Sequence, residues 1–219
     1  MKVISFTLYI HDITEPDWTR YVAGLIECIR VCKFVLPGFV VAAYVADDTM
    51  PLLKEHAPKW ALRLQSALHA PHVHVHLWTK LQIPAATAAV LKHHASHVQL
   101  ITRYRAIKEY ATAEVVAFRD ADSPPTPADA SAMRTWLQFC AATRPMLAYA
   151  LPLWGAVRCG GGITLHCPGT HCNMAPLEDE VQFLTDDIAE SGSGWGVDEH
   201  IIDAITRDVP ACRVDCFHH

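Results

Sequence analysis

The sequence contains no run of 18 apolar residues, so no segment of it reads as a membrane-spanning helix. It has no basic excess. Its 18 Lys and Arg stand against 23 Asp and Glu, for a formal net charge of −5, which removes the electrostatic footprint of a nucleic-acid binder. None of the 8 cysteines forms a CxxC pair. No GxGxxG follows the first apolar strand and no GKS or GKT occurs, which argues against a dinucleotide dehydrogenase and a P-loop NTPase. The opening Met1-Lys2-Val3-Ile4-Ser5 lacks the long apolar core and cleavage site of a secretory signal. Without an export signal, reduced thiols are the default and a cytoplasmic location is expected. Internal repeats and low-complexity tracts are also missing.

What remains is the composition of a packed globular chain: 219 residues, 51% hydrophobic and 19% charged. That length supports one domain, or one domain with a small appendage, stable without covalent staples. Apolar β-branched runs predict strands over residues 3–10, 39–46, 72–78 and 114–118. Helical spacing of Trp18, Tyr21, Val22, Leu25, Ile26 and Ile29 predicts a helix opened by Glu15-Pro16-Asp17. Pro37-Gly38 reads as a turn, and a helical stretch from Met50 to Leu68 is interrupted near Pro58. Further helical regions are expected over 85–91 and 100–110. Another should start at Thr126-Pro127-Ala128-Asp129, with Met133, Trp136, Leu137 and Cys140 on its apolar face. Short strands near 146–151 and 163–167, and helices around 177–190 and 200–206, complete the pattern. Alternating strands and helices predict an α/β fold with a mostly parallel sheet covered on both faces. Ligands on such sheets bind beyond the carboxyl ends of the strands. Asp47 and Asp120 lie at such ends.

The segment Val115-Val116-Ala117-Phe118-Arg119-Asp120-Ala121-Asp122-Ser123 carries the chemistry. A buried strand ends in two carboxylates one residue apart. On an extended chain these point to opposite faces, so they share a site only if the backbone bends, and Ser123-Pro124-Pro125 supplies a bend signal. Hard oxygen ligands at a strand end suit Mg²⁺ or Mn²⁺, which fills its remaining positions with water and substrate phosphate. Such an ion can hold a diphosphate leaving group.

Phe118-Arg119-Asp120-Ala121-Asp122-Ser123 resembles the DxD motif of nucleotide-sugar glycosyltransferases of the GT-A fold. Three more blocks follow the order of that family. They are Val3-Ile4-Ser5-Phe6-Thr7-Leu8-Tyr9 as first strand, Trp154-Gly155-Ala156 after the motif, and Trp195-Gly196-Val197-Asp198-Glu199-His200 near the end. The resemblance covers roughly residues 3–205 and is greatest to small bacterial and large-DNA-virus enzymes, the location then being the host cytoplasm if the source is viral. It implies a Rossmann-like, mostly parallel mixed sheet flanked by helices. It also implies a single domain over 1–219, with a nucleotide-sugar-binding half (1–123) and an acceptor half (124–219). The implied reaction moves a sugar from a UDP- or GDP-sugar to a hydroxyl of a glycan or glycoconjugate. The implied metal, Mn²⁺ or Mg²⁺, is bound by Asp122 directly, while Asp120 contacts the ribose or the metal through water, and His218 can complete the metal shell. Implied donor contacts are Ser5, Phe6, Asp47, Arg103 or Arg105, Arg119 and Asp120. Implied acceptor contacts are Trp154, Gly155 and Trp195. In an inverting transfer Asp198 or Glu199 is the implied base. Leu153 stands where the family carries Gly before this tryptophan.

Plainer roles compete for each residue. The aspartates of Asp47-Asp48 and of the motif can be solvated turn acids. Asp198 and Glu199 can complement a helix dipole, and the arginines can be a solvated basic cluster. His72, His74 and His76 alternate onto one strand face, where a polar edge competes with a transition-metal site. His166, Cys167, His171, Cys172, Cys212, Cys216, His218 and His219 are zinc-capable types without a standard finger spacing. The rival functions are a haloacid-dehalogenase-type phosphatase, which also places DxD after a strand, and a zinc-binding interaction module.

Overall fold

The structure is a computed structural model that describes residues 1–91, 97–131, 133–134, 138, 148–150, 163–166 and 178–191. Among the described residues, six strands form one sheet in the order β3-β2-β1-β4-β6-β5. They are β1 (Lys2–Leu8), β2 (Phe39–Ala46), β3 (Val73–Trp78), β4 (Val115–Phe118), β5 (Ala148–Ala150) and β6 (Ile163–His166). β1 pairs in parallel with β2 and with β4, and β2 with β3. β6 runs antiparallel to β4 and to β5. The fold is thus α/β with a mostly parallel mixed sheet, Rossmann-like, as the alternation of elements predicts.

The period-2 alternation of β1 and β2 divides the core into two halves. Ile4, Phe6, Leu8, Val41, Ala43 and Val45 meet α1 (Trp18–Val35), α2 (Thr49–His56) and α3 (Pro58–Leu68) on one face. α1 contributes Val22, Leu25, Cys28, Ile29 and Cys32, spaced three or four apart, as a helix buried along one stripe requires. The other face, with Val3, Ala42, Tyr44, Val116 and Phe118, is covered by the chain that crosses from β3 to β4. That crossover holds α4 (Ala85–Leu91), a 3₁₀ helix (His97–Arg105) and α5 (Ala106–Glu109). Leu184 of α6 (Glu180–Ser191) joins this second half. Leu25 and Ile101 are completely buried, and truncating such a side chain to Ala costs about 2–5 kcal/mol.

Local signals explain the boundaries. Pro58 sits at the first helical position of α3 and separates it from α2. Gly38 takes φ +85°, the left-handed conformation that the Pro37-Gly38 turn demands. At Pro127 a helix starts behind a reciprocal cap. The Asp129 carboxylate accepts from the Thr126 N–H (2.7 Å) and hydroxyl (2.8 Å), and the Asp129 N–H donates back to Thr126 Oγ1 (3.2 Å). One expectation fails. β3 begins at Val73, so His72 lies in the preceding turn and does not share the face of His74 and His76. Its Nε2 meets the Ile29 carbonyl of α1 at 3.0 Å, whereas His74 and His76 meet Tyr110 on the opposite face. The alternation rule holds only once the chain is inside the strand.

Candidate active site at the strand-order switch

From β1 the chain moves outward to β2 and β3, then returns across the sheet to add β4 on the other side of β1. The order reverses between β1 and β4, and such a switch opens a crevice at the carboxyl ends of the two strands. Asp120 and Asp122 stand there. Phe118 pairs with Ser5, and the Arg119 N–H donates to the Ser5 carbonyl (3.1 Å), after which the chain leaves the sheet. The Ser123 N–H then donates to the Asp120 carbonyl at 3.1 Å, closing a turn around the motif. The turn is present where a bend is expected, and it sends the two carboxylates to partners on different elements. Both act on Tyr21 of α1, whose phenol pKa is raised first by burial and then by Asp122 and Asp120.

Each aspartate faces an arginine from a different element. The Asp120 Oδ1 pairs with Arg103 Nη1 of the 3₁₀ helix, and the Asp122 Oδ2 pairs with Arg20 Nη2 of α1. The two arginines differ in kind. Arg103 is only 7% exposed, and its Nη2 donates to the Tyr104 hydroxyl (3.4 Å), whereas Arg20 is 72% exposed. The third arginine holds the turn from outside. Arg119 Nε donates to the Ser123 carbonyl, and Arg119 Nη2 lies 3.2 Å from Asp129 Oδ2, joining the motif to the cap of the next helix.

The turn is seated on α1. A Cβ on Gly24 would lie 2.5 Å from the Ala121 carbonyl oxygen and 2.5 Å from the Asp122 Cα, so backbone meets backbone where only glycine leaves room. One helical turn further on, the buried Cys28 thiol donates to the same Ala121 carbonyl at 3.3 Å. Burial raises the pKa of this thiol and pushes that of Cys32 up to about 12. Both cysteines are reduced packing groups.

The remaining expected site residues fall into three groups. Ser5 is buried, its hydroxyl donating to the Arg103 carbonyl (2.8 Å), and Phe6 is buried in the core on the α1 face. Arg105 forks onto the buried Glu180 carboxylate of α6, with Nε–Oε1 2.8 Å and Nη2–Oε2 2.5 Å. Asp47 accepts from the Thr79 hydroxyl (2.7 Å) and Asp48 pairs with Lys80 (2.7 Å) at the ends of β2 and β3, and Lys80 also donates to the Ile10 carbonyl just beyond β1. Trp154, Gly155, Trp195, Asp198, Glu199 and His218 lie outside the described residues. Arg20, Tyr21, Gly24 and Cys28 are the neighbours that sequence reasoning missed. An isolated glycine inside a helical pattern was the available signal, since it usually marks close packing.

Elsewhere, Tyr44, His74, His76, Glu109 and Tyr110 form a polar cluster on the crossover face. The Tyr44 hydroxyl donates to Glu109 Oε2 (2.6 Å), which also pairs with His76 Nδ1 (2.8 Å), while His76 Nε2 meets the Tyr110 hydroxyl (2.7 Å). Among the described residues, no group of three or more His, Cys, Asp and Glu side chains is placed to hold a metal ion. None of the described helices is long and apolar enough to cross a membrane.

No protein-family model matches the sequence, and no curated protein matches it. Among solved structures, the chain is similar to a cytidylyltransferase from Leptospira borgpetersenii serovar Hardjo-bovis (strain JB197). The identity is 10% and the TM-score 0.43, over 97% of this chain and 74% of that one. It is also similar to Rv0371c from Mycobacterium tuberculosis H37Rv, with 9% identity and a TM-score of 0.41, over 97% of this chain and 86% of that one. Similarity this distant carries no argument about activity.

Proposed function

We propose that this chain is a metal-dependent glycosyltransferase that moves a sugar from a nucleotide-diphosphate sugar to an acceptor hydroxyl of a glycan. The observation that carries the reading is the Asp120-Ala121-Asp122 turn at the β1–β4 switch, each carboxylate facing a guanidinium. The donor set fits a hard divalent cation. Mg²⁺ and Mn²⁺ are commonly bound by one or two carboxylates, with substrate phosphates and water completing the shell. A dedicated all-protein cage is therefore not required. When bound on Asp122, such an ion would act as a Lewis acid for the leaving diphosphate.

The chain's own residues have separable tasks. Arg103 fixes Asp120 from the buried side, and Arg119 holds the turn to the next helix. Trp154 and Trp195 are suited to stack on apolar sugar faces. In an inverting transfer Asp198 or Glu199 takes the acceptor proton, and in a retaining one that base is unnecessary. The phosphatase alternative needs Asp120 as a free nucleophile, and its pairing with the buried Arg103 speaks against this.

The test is a thermal-unfolding screen of UDP- and GDP-sugars with and without Mn²⁺. A ligand at a hundred times its Kd stabilises the folded form by about 2.7 kcal/mol. In a chain of this size that raises Tm by roughly 5–10 °C. Asp122→Ala should remove the Mn²⁺-dependent shift while the protein stays folded. A shift retained in folded Asp122→Ala, or rapid hydrolysis of phosphomonoesters with nucleotide sugars untouched, would sink the proposal.

A further inference from the structure

We propose that Arg20 is a removable counter-charge for Asp122, mounted on a stripe of α1 that seats the Asp120–Asp122 turn and sets its affinity for a divalent cation. The inference rests on the glycosyltransferase reading, in which Asp122 is the carboxylate that receives the metal.

Three observations converge on one helix face. Arg20, Gly24 and Cys28 are spaced by four residues, the interval that stacks side chains along a helix. All three touch the same segment of a chain roughly a hundred residues away. The Arg20 guanidinium takes the Asp122 carboxylate, the missing side chain of Gly24 admits the Ala121–Asp122 backbone, and the Cys28 thiol bonds the Ala121 carbonyl. Gly24 lies against the Ala121–Asp122 backbone and Cys28 is buried, so both hold position. Arg20 is not fixed in this way, because most of its side chain is in solvent.

That contrast separates the two aspartates. Asp120 is bound to a guanidinium in the protein interior, whose side chain is only 7% exposed. Asp122 is itself only 10% exposed, yet its partner can leave into water at little cost. A cation arriving at Asp122 therefore competes with Arg20, and only with Arg20 among the described ion pairs of that carboxylate. The carboxylate stays neutralised in either state, so the turn is pre-formed before the metal arrives.

The experiment titrates the full-length chain with Mn²⁺ alone, reading free Mn²⁺ by electron paramagnetic resonance at low salt. It compares wild type, Arg20→Met, Asp122→Asn and the double variant. Arg20→Met should tighten Mn²⁺ binding by up to about fivefold, the worth of an ion pair with one exposed partner. Loss of structural support would weaken binding, so tightening is not a by-product of damage. Asp122→Asn should abolish the site, and Arg20→Met should have no effect in that background. If Asp122→Asn binds Mn²⁺ like wild type, the metal reading itself fails. If Asp122→Asn loses Mn²⁺ but Arg20→Met is unchanged or weaker, the metal reading stands and the role given to Arg20 is wrong. Equal tightening by Arg20→Met with and without the Asp122 carboxylate would reduce the effect to net charge and also overturn it. Absence of Mn²⁺ binding in every variant overturns both.

Discussion

Gly24→Ala sets two large effects of opposite sign against each other. In the middle of an exposed helix, Ala is more favourable than Gly by about 0.8–1.0 kcal/mol. Judged by helix propensity alone, the variant should be more stable than the parent. The structure reverses the sign. The new methyl carbon would lie 2.5 Å from both the Ala121 oxygen and the Asp122 Cα, and neither atom can rotate away as a side-chain tip could. Forcing an extra carbon into such packing costs about 1–3 kcal/mol. The turn is tied down by Arg119 on Ser123 and Asp129 and by Arg103 on Asp120, so retreat breaks bonds. The net expectation is a loss of up to about 2 kcal/mol. In a chain of this size that is a drop in Tm of up to about 8 °C. Calorimetry, with urea unfolding as a check on two-state behaviour, measures it. A Tm raised by 2–4 °C, the result propensity alone would give, would show that the turn does not rest on α1 as described.

Two further outcomes are expected. Glu180→Gln should cost about 1–2 kcal/mol in urea unfolding, below the 3–5 kcal/mol of a fully buried pair because Arg105 remains partly solvated. Unchanged stability would mean that the Arg105 fork does not hold α6. For His76, burial outweighs the Glu109 carboxylate and lowers the pKa below its ordinary 6.5. The unfolded chain then binds the proton more readily. The stability from neutral His76 is complete above about pH 6.5 and is lost as pH falls through the lower native value. His76→Gln should flatten the stability profile in that window, and an unaltered slope would assign the pH dependence elsewhere.

The sequence showed the elements more readily than their partners. Residues 39–46 are an uninterrupted apolar run between turn signals, and β2 occupies that span. Pro58 divides the second helical stretch because it fits at a helix start but not within one. The Thr126–Asp129 cap was readable because its bonds are local. Tertiary pairings leave no such trace. Arg103, Arg105 and Arg119 look alike in sequence, yet one holds Asp120, one holds Glu180, and one holds Ser123 with Asp129. What separates them is the direction each side chain takes from a 3₁₀ helix or a strand end, fixed only when the crossover packs on the sheet. Arg20 was illegible for the same reason. It lies in the helix after β1, and only the return of the chain to add β4 brings Asp122 to it.

The central place of β1 also has a consequence for synthesis. As the chain leaves the ribosome, β2 and β3 can join β1, and α1 to α3 can cover one face. The other hydrogen-bonding edge of β1 waits until Val115–Phe118 emerge. Until then a strand built for the middle of a sheet presents a bare, apolar rim, the kind of edge that recruits other chains. Nascent chains arrested before residue 115 should therefore lean on chaperones. Once β4 emerges it covers β1, but the bare edge then passes to β4 and is paired only when β6 follows, so some dependence should persist until Ile163–His166 are made.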